Sequence, residues 1–132
     1  MIVAGIGLKS GATAEEILAC VDAALAASGL AGASIARLAT ILSRAQEAGV
    51  IAAAAERGAE LTGAPIDILR RYASACATRS DRALALYGVG SVAETAALAA
   101  SAPNGRLAAP RIAVGSVTCA LAISDAVSRT AT

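Results

Sequence analysis

The 132-residue sequence contains no histidine, tryptophan or phenylalanine, and it has only two tyrosines. Without histidine, Ser-His and Cys-His catalysis is excluded, and so is the commonest side-chain ligand of transition metals. Without aromatic rings, the chain lacks the stacking platforms on which single-stranded nucleic acids bind. Much of its hydrophobic content is alanine. We therefore expect a core of small side chains, in which helices approach their neighbours closely.

Charge is scarce as well. Charged residues make up 16% of the chain and the formal net charge is +1, which argues against a nucleic-acid partner because such proteins carry a basic footprint. The longest uncharged runs, residues 23–36 and 112–124, are too short to span a bilayer. We expect no membrane segment. A weakly polar, alanine-rich surface is compatible with a homo-oligomer.

Cysteine is also used sparingly. Cys20, Cys76 and Cys119 are odd in number, far apart and form no C-x-x-C pair, which argues against a disulfide framework or a zinc site. The apolar N-terminus has no preceding positive region, so it is typical of a strand and not of a signal peptide. We expect a cytoplasmic protein with reduced thiols, no metal and no cofactor.

The hydrophobic pattern alternates between strand-like and helix-like segments, which predicts a single α/β domain over residues 1–132 with a small mixed sheet flanked by helices. The predicted strands are residues 2–8, 34–42, 65–69, 107–112 and 116–124, and the predicted helices are residues 13–28, 46–57, 80–87 and 91–101. Residues 70–77 fit either a loop or a helix. Asn104-Gly105 is a turn signal.

Three segments, residues 13–16, 43–46 and 91–94, match the capping box S/T-x-x-E/Q. In that box a hydroxyl and a carboxylate or amide side chain satisfy free amides at a helix N-terminus. Two of the boxes follow glycines: Gly5, Gly7 and Gly11 before Thr13, and Gly88 and Gly90 before Ser91. Glycine lets a ligand approach the backbone, and a helix N-terminus suits carboxylate or phosphate. A capping box alone, however, does no more than start a helix.

The charged residues near these boxes divide into two groups. Glu16 and Glu94 are assigned to helix capping and not to proton transfer. Glu47 lies just past the capping position and is the candidate functional carboxylate, although a solvated surface position would also explain it. The candidate anion partners are Lys9, Arg44 and Arg111, each of which is also compatible with an ordinary surface cation. Residues 5–11 match neither a Walker loop nor G-x-G-x-x-G.

Taken in order, five blocks resemble the CobE/CbiG family of cobalamin (vitamin B12) biosynthesis. The blocks are Gly5-Ile-Gly7 with Gly11 and Thr13-Ala-Glu15-Glu16; Leu38-Ala-Thr40-Ile41 with Glu47-Ala-Gly49; Thr78-Arg-Ser80; Gly88-Val-Gly-Ser-Val-Ala-Glu94 with Ala96-Ala-Leu98; and Leu107-Ala-Ala-Pro110-Arg111 with Val117-Thr-Cys-Ala-Leu-Ala122. They run from about residue 3 to residue 124, and the fourth block is the most specific.

The resemblance implies a compact α/β domain that acts on corrinoids. In the family, CobE-like proteins stand alone, whereas CbiG-like enzymes carry the domain at the C-terminus of a longer chain, open the δ-lactone of cobalt-precorrin 5A and release acetaldehyde. This chain looks like the stand-alone type. It departs from the family where an Asp and a Lys often follow Ile41, since Leu42 and Arg44 stand there, and where a Pro often precedes Ser80, since Arg79 stands there. The lost acid weakens the case for hydrolysis.

Three functions stay open. The first is binding of a corrinoid or precorrin intermediate, whose carboxylate arms would meet residues of the glycine turns and helix starts: Gly5, Gly7, Lys9, Gly11, Thr13, Thr40, Arg44, Gly88, Gly90, Ser91 and Arg111. The second is lactone hydrolysis, with Glu47 or Asp81 as the base, or a water held by Ser80 and Thr40. The third is a scaffold for other cobalamin-pathway enzymes. An unrelated anion binder is the remaining alternative.

Overall fold

A computed structural model describes residues 1–124 of the chain as a six-stranded sheet with helices on both faces. The strands are β1 (Ile2–Gly7), β2 (Arg37–Ile41), β3 (Glu60–Ala64), β4 (Arg106–Leu107), β5 (Ile112–Val114) and β6 (Val117–Ile123). The helices are α1 (Ala14–Ala27), α2 (Leu42–Ala45), α3 (Ala48–Glu56), α4 (Ile66–Arg70), α5 (Asp81–Tyr87) and α6 (Val92–Ser101), with a 3₁₀ turn at Ala73–Ala75. The predicted mixed α/β fold is confirmed.

The sheet has the order β3-β2-β1-β6-β4, and β5 pairs with β6. β1, β2 and β3 are parallel to one another, whereas β6 runs antiparallel to β1, β4 and β5. The helical crossovers that join the parallel strands contain α1 in the first and α3 in the second. The carboxyl ends of β1 and β2 therefore lie at the same edge of the sheet as the beginning of β6.

The two faces of the sheet hold separate apolar clusters, as the two-residue period of β1 requires. Ala4 and Ile6 face the α1 and α3 side, where they pack with Ile17 and Val50. Val3 faces the other side, in the cluster that contains α6. Gly5 and Gly7 alternate in the same way toward α6, whose first turns lie directly against β1. The chain thus forms three layers, helix, sheet and helix.

The predicted strand at residues 65–69 is wrong. That segment forms α4, and the third strand is β3, five residues earlier. Pro65 occupies the cap position, Asp67 lies in the first turn and Arg70 in the last, which are ordinary helix signals. β3 was missed because it is an edge strand with a weak apolar pattern that contains Gly63.

Other boundaries differ by smaller amounts. The predicted strand at residues 107–112 is divided between β4 and β5, with an irregular segment between them. β2 begins at Arg37, three residues later than predicted. Within residues 1–124, no single helix is long and apolar enough to cross a membrane; α5 and α6 meet that criterion only when counted together across a 62° bend.

Candidate functional site

A cleft of about 180 Å³ lies at the sheet edge where β1 and β2 end and β6 begins. Gly7 and Lys9 contribute from the end of β1, Ile41 and Arg44 from the end of β2, and Thr118 from β6. This is the edge at which open α/β sheets place their ligands, because the loops that leave parallel strands diverge there. One further wall comes from α5, and another from the segment before β5.

The cleft is cationic on its polar side. Lys9, Arg44, Arg82 and Arg111 line it, and the described lining includes no aspartate or glutamate. Ser80, Ser116 and Thr118 add hydroxyls to the lining. The side chains that supply its apolar surfaces are Leu8, Ile41, Ala83, Leu86, Tyr87 and Val92. Four cations without an acid in the lining favour an anionic ligand, and the apolar surfaces favour one with a large hydrocarbon portion.

Arg44 is the most constrained of these cations. Its Nη1 donates to Glu47 Oε2 at 2.9 Å, while its Nε is buried and has no partner among residues 1–124. An unpartnered buried donor is costly unless a ligand or water satisfies it. Arg44 lines the cleft, and its ion pair with Glu47 fixes its guanidinium there.

Glu47 is a structural partner in this arrangement. Its Oε1 accepts a hydrogen bond from the Gly11 amide at 2.9 Å, and its Oε2 accepts one from Arg44. The Gly11 amide, followed by the neighbouring Arg44, holds the pKa of the Glu47 carboxyl below its ordinary value. Glu47 does not line the cleft. It joins the turn after β1 to the start of α3 and orients Arg44.

One short helix supplies a large part of the lining. α5 and its cap supply Ser80, Arg82, Ala83, Leu86 and Tyr87 to the cleft, although no residue of α5 is fully buried. The Ser80 hydroxyl accepts a hydrogen bond from the Ala83 amide and so caps the N-terminus of α5. Asp81, the other candidate at this helix, is exposed and does not line the cleft.

The structure brings together five of the predicted site residues and separates the others. Gly7, Lys9, Arg44, Ser80 and Arg111 line the cleft. The remaining candidates lie outside it: Gly5, Gly11, Thr13, Thr40, Glu47, Asp81, Gly88, Gly90 and Ser91. Of these, Thr40 is fully buried, and its hydroxyl donates to the Ile6 carbonyl at 2.8 Å.

Gly5 and Gly90 are glycines for reasons of packing. A Cβ at Gly5 would overlap the Ala93 carbonyl oxygen and lie 2.6 Å from the Ala97 nitrogen, so α6 reaches β1 only because no side chain is there. A Cβ at Gly90 would lie 2.7 Å from the Thr78 carbonyl oxygen. Both glycines permit close backbone contacts within the protein.

The three predicted capping boxes have different outcomes. The box at Thr13 is confirmed, since the Thr13 hydroxyl accepts a hydrogen bond from the Glu16 amide and the Glu16 carboxylate accepts one from the Thr13 amide. The box at Ser43 is wrong, because Ser43 lies inside α2 and the next helix starts from Glu47 without a side-chain cap. The third box is half correct, since the Ser91 hydroxyl accepts the Glu94 amide.

The carboxylate of Glu94 does not return to Ser91 as a capping box would require. It is fully buried, and it accepts hydrogen bonds from the backbone amides of Ala77, Thr78 and Arg111 at 2.9–3.0 Å. The predicted assignment of Glu94 to capping is therefore wrong for its side chain. The local sequence cannot reveal these bonds because the three donors lie 16 or 17 residues away in the chain.

Sequence reasoning missed several residues of the cleft. Arg82, Leu86 and Tyr87 line it from α5, and Ser116 and Thr118 line it from the start of β6. Thr118 lies in the fifth family block, and no local motif marks the others. The alternation of Arg82 with apolar residues along a short helix was the one available signal, and it does not show which side of α5 faces the sheet edge.

A second depression, of about 310 Å³, lies behind α5. It is bounded by the segment around Cys76 and Thr78 and by Gly88 and Gly90, so the glycine turn before α6 faces this depression and not the cleft. Burial raises the pKa of the Cys76 thiol and also that of Cys20, and it raises the pKa of Cys119 far above the ordinary range. These thiols are not activated nucleophiles.

Comparison with known proteins agrees with this architecture. The family model described as cobalamin synthesis G C-terminus matches residues 2–122. The crystal structure of CobE, a protein from the cobalamin (vitamin B12) biosynthetic pathway, is similar with a TM-score of 0.87 and 27% identity over 95% of this chain and 92% of that one. The cobalamin biosynthesis protein chiG from Agrobacterium tumefaciens str. C58 has a TM-score of 0.74 and 34% identity over 95% of this chain and 99% of that one.

No curated protein matches the chain at a significant level. The family match nevertheless covers nearly all of the described residues, and the two solved structures are similar to the chain in sequence and in fold. The chain therefore belongs to the cobalamin synthesis G C-terminal family, the CobE and CbiG proteins of cobalamin biosynthesis.

Proposed function

We propose that this protein binds a corrinoid or precorrin intermediate of cobalamin biosynthesis at the cleft formed by β1, β2, α5 and β6. The observation that carries the proposal is the lining itself, in which four cations and several apolar side chains border one space without a described acid. A corrinoid intermediate combines carboxylate arms with a largely apolar ring, so it matches both parts of that lining.

The size of the cleft limits how such a ligand would sit. Pockets that enclose a drug-sized ligand occupy about 300–1,000 Å³, and this cleft has about 180 Å³. A tetrapyrrole ring is too large to enter it completely. We therefore place one edge of the ring and its carboxylate arms in the cleft. The rest of the ring lies on the rim beside Leu86, an apolar side chain that is 54% exposed.

The cations have distinct roles in this arrangement. Arg44, held by Glu47 with 27% of its side chain exposed, would contribute its charge to a carboxylate arm, and Arg111 lines the same cleft from the segment before β5. Lys9 and Arg82 are exposed at the mouth, where they would attract the anion before contact. Since cations at the mouth are screened by salt, affinity should fall as ionic strength rises.

The test is an absorbance titration with a metal-free corrin such as hydrogenobyrinic acid, carried out with the wild type, Arg82→Glu and Arg71→Glu. Arg71 is exposed and lies outside the cleft, so Arg71→Glu controls for the same change of net charge. We expect one site per chain, binding at least about tenfold weaker in Arg82→Glu, and little change in Arg71→Glu. Absence of wild-type saturation, or equal effects of the two variants, would contradict the proposal.

Hydrolysis of the precorrin lactone is less well supported by this geometry. Ser80 is the one candidate catalytic residue that lines the cleft, and its hydroxyl is already used as a cap. Glu47 accepts bonds from Gly11 and Arg44, and Asp81 lies outside. The same protein incubated with the lactone substrate tests the alternative, since release of acetaldehyde would replace simple binding with catalysis.

The scaffold function has a separate basis. Leu42 and Ile51 are about half exposed, on α2 and α3, and they add to the weakly polar alanine-rich surface. Copurification with other pathway enzymes, together with no corrin binding, would favour the scaffold function over corrinoid binding at the cleft.

A further inference from the structure

The buried carboxylate of Glu94 joins two segments that are far apart in the chain. Its Oε1 accepts hydrogen bonds from the amides of Ala77 and Thr78, at 2.9 and 3.0 Å, and its Oε2 accepts one from the amide of Arg111 at 3.0 Å. The side chain has no exposed surface. Within residues 1–124 no basic side chain pairs with it. Three backbone amides are thus its partners.

The two segments are the supports of two walls of the cleft. Residues 77 and 78 lead directly into Ser80 and α5, which bring five residues to the lining. Arg111 lines another part of the same space, as does Val92, two residues before Glu94. One carboxylate therefore fixes both walls to α6. Such a bond set is hard to replace, because all three amides lose a partner if the carboxylate is lost.

We infer that Glu94 is a positioning residue for the cleft, which holds the α5 wall and Arg111 at the separation that an anionic ligand needs. It touches no ligand, since it is buried and does not line the cleft. The inference rests on the proposed function for its ligand. The hydrogen bonds themselves can be tested without any ligand.

Glutamine in place of Glu94 can keep the hydrogen bonds to only one of the two segments. A glutamine side chain has the same shape but one acceptor oxygen and one NH₂ donor. If the oxygen keeps the two bonds to residues 77 and 78, the NH₂ group faces the Arg111 amide, donor against donor. Glu94→Gln should therefore release Arg111 while α5 stays held. Arg111→Ala makes the complementary change: it removes the guanidinium from the cleft but keeps the backbone amide that bonds to Glu94.

A double-mutant cycle tests whether Glu94 acts through Arg111. Dissociation constants for hydrogenobyrinic acid are measured for the wild type, Glu94→Gln, Arg111→Ala and the double variant. We expect each single variant to bind about tenfold more weakly and the double variant to bind no more weakly than Arg111→Ala alone, because coupled residues are not additive. Wild-type affinity in Glu94→Gln, or effects that multiply in the double variant, would overturn the inference.

Ser101→Ala controls for a general loss of stability. Ser101 is buried on the same helix, and its hydroxyl donates to the Ala97 carbonyl at 2.7 Å, away from the cleft. This variant should unfold at a lower temperature and bind the corrin with unchanged affinity. If Ser101→Ala weakens binding as much as Glu94→Gln does, Glu94 has no specific positioning role.

Amide hydrogen exchange of the unliganded protein tests the bonds directly and covers the case in which Glu94→Gln does not fold. In the wild type the amides of residues 77, 78 and 111 should exchange at least about tenfold more slowly than the unbonded amides beside them. In Glu94→Gln the protection of Arg111 should disappear first. Unprotected amides in the wild type would overturn the inference. If the wild type binds no corrin, the proposed function fails, and the exchange data decide whether Glu94 holds the walls.

Discussion

Replacement of Gly5 by alanine tests how closely α6 packs on the sheet. The added Cβ would overlap the Ala93 carbonyl oxygen and lie 2.6 Å from the Ala97 nitrogen and 2.8 Å from the Ala97 Cβ. Carbon atoms in contact prefer separations of about 3.5–4.0 Å, so α6 must retreat by roughly 1 Å. The obstacle is helix backbone, which has no alternative rotamer. The strain therefore spreads into the packing between α6 and the sheet.

The expected loss of stability follows from known packing energetics. Overpacking a core costs about 1–3 kcal/mol, and a rigid obstacle places Gly5→Ala near the upper end of that range. The reduced freedom of the unfolded chain offsets about 0.4–1 kcal/mol of it, which leaves roughly 2 kcal/mol. Unfolding entropy is about 2.1 cal/mol/K per residue. For 132 residues that is about 0.28 kcal/mol/K, so Tm should fall by about 7 °C.

Gly7→Ala is the matched control on the same strand. Its Cβ would approach the Thr118 hydroxyl at 2.6 Å, a side chain that can rotate away, so we expect a decrease in Tm of less than about 3 °C. Thermal unfolding followed by circular dichroism measures both variants. A Gly5→Ala protein that melts with the wild type, or no lower than Gly7→Ala, would refute the packing argument.

Three further predictions concern charge and thiol chemistry. The Gly11 amide and the neighbouring Arg44 lower the pKa of Glu47. The contribution of Glu47 to stability is therefore present above the ordinary pKa of 4.5 and is lost as pH falls through the lowered pKa. The unfolding midpoint of Glu47→Gln should depend less on pH between 6 and 3 than that of the wild type. Asp22 accepts two hydrogen bonds from Arg57 at 2.7 and 2.8 Å on the surface; since exposed ion pairs contribute about 0–1 kcal/mol, Asp22→Asn should lower Tm by no more than about 4 °C in a thermal melt. Cys76 is the least buried of the three cysteines; a thiol reagent should modify one thiol per folded chain, and a Cys76→Ser variant should show none until it is unfolded.

The architecture could be predicted from the sequence where the local pattern and the tertiary packing agree. α1 was predictable because its apolar stripe and its Thr13 cap give the same helix start. The parallel pairing of β1 and β2 follows from the helix between them. β3 was not predictable, because an edge strand with a glycine carries little hydrophobic signal and the apolar run after it resembles a strand.

The site was predictable only in part, for a related reason. Of the residues that the turn patterns indicated, Gly7, Lys9 and Arg44 line the cleft, and their role in binding stays a prediction. Arg82 could not be assigned, because the direction of α5 depends on tertiary contacts. The glycines before Ser91 pointed to a ligand turn, whereas the structure uses Gly90 for close contact with the Thr78 carbonyl. Sequence alone does not distinguish a glycine that lets a ligand approach from one that lets another backbone segment of the protein pack closely.

The pairing of β1 with β6 has a consequence for the order of folding. β6 joins β1 at the middle of the sheet, with Ile2 opposite Ile123, so β1 pairs on one side with the last strand that the structure describes. Until β6 is synthesised, an edge of β1 remains open, and an open apolar edge is a site of aggregation. Nascent chains that end before Val117 should therefore expose this edge and depend on chaperones more than the complete sheet does.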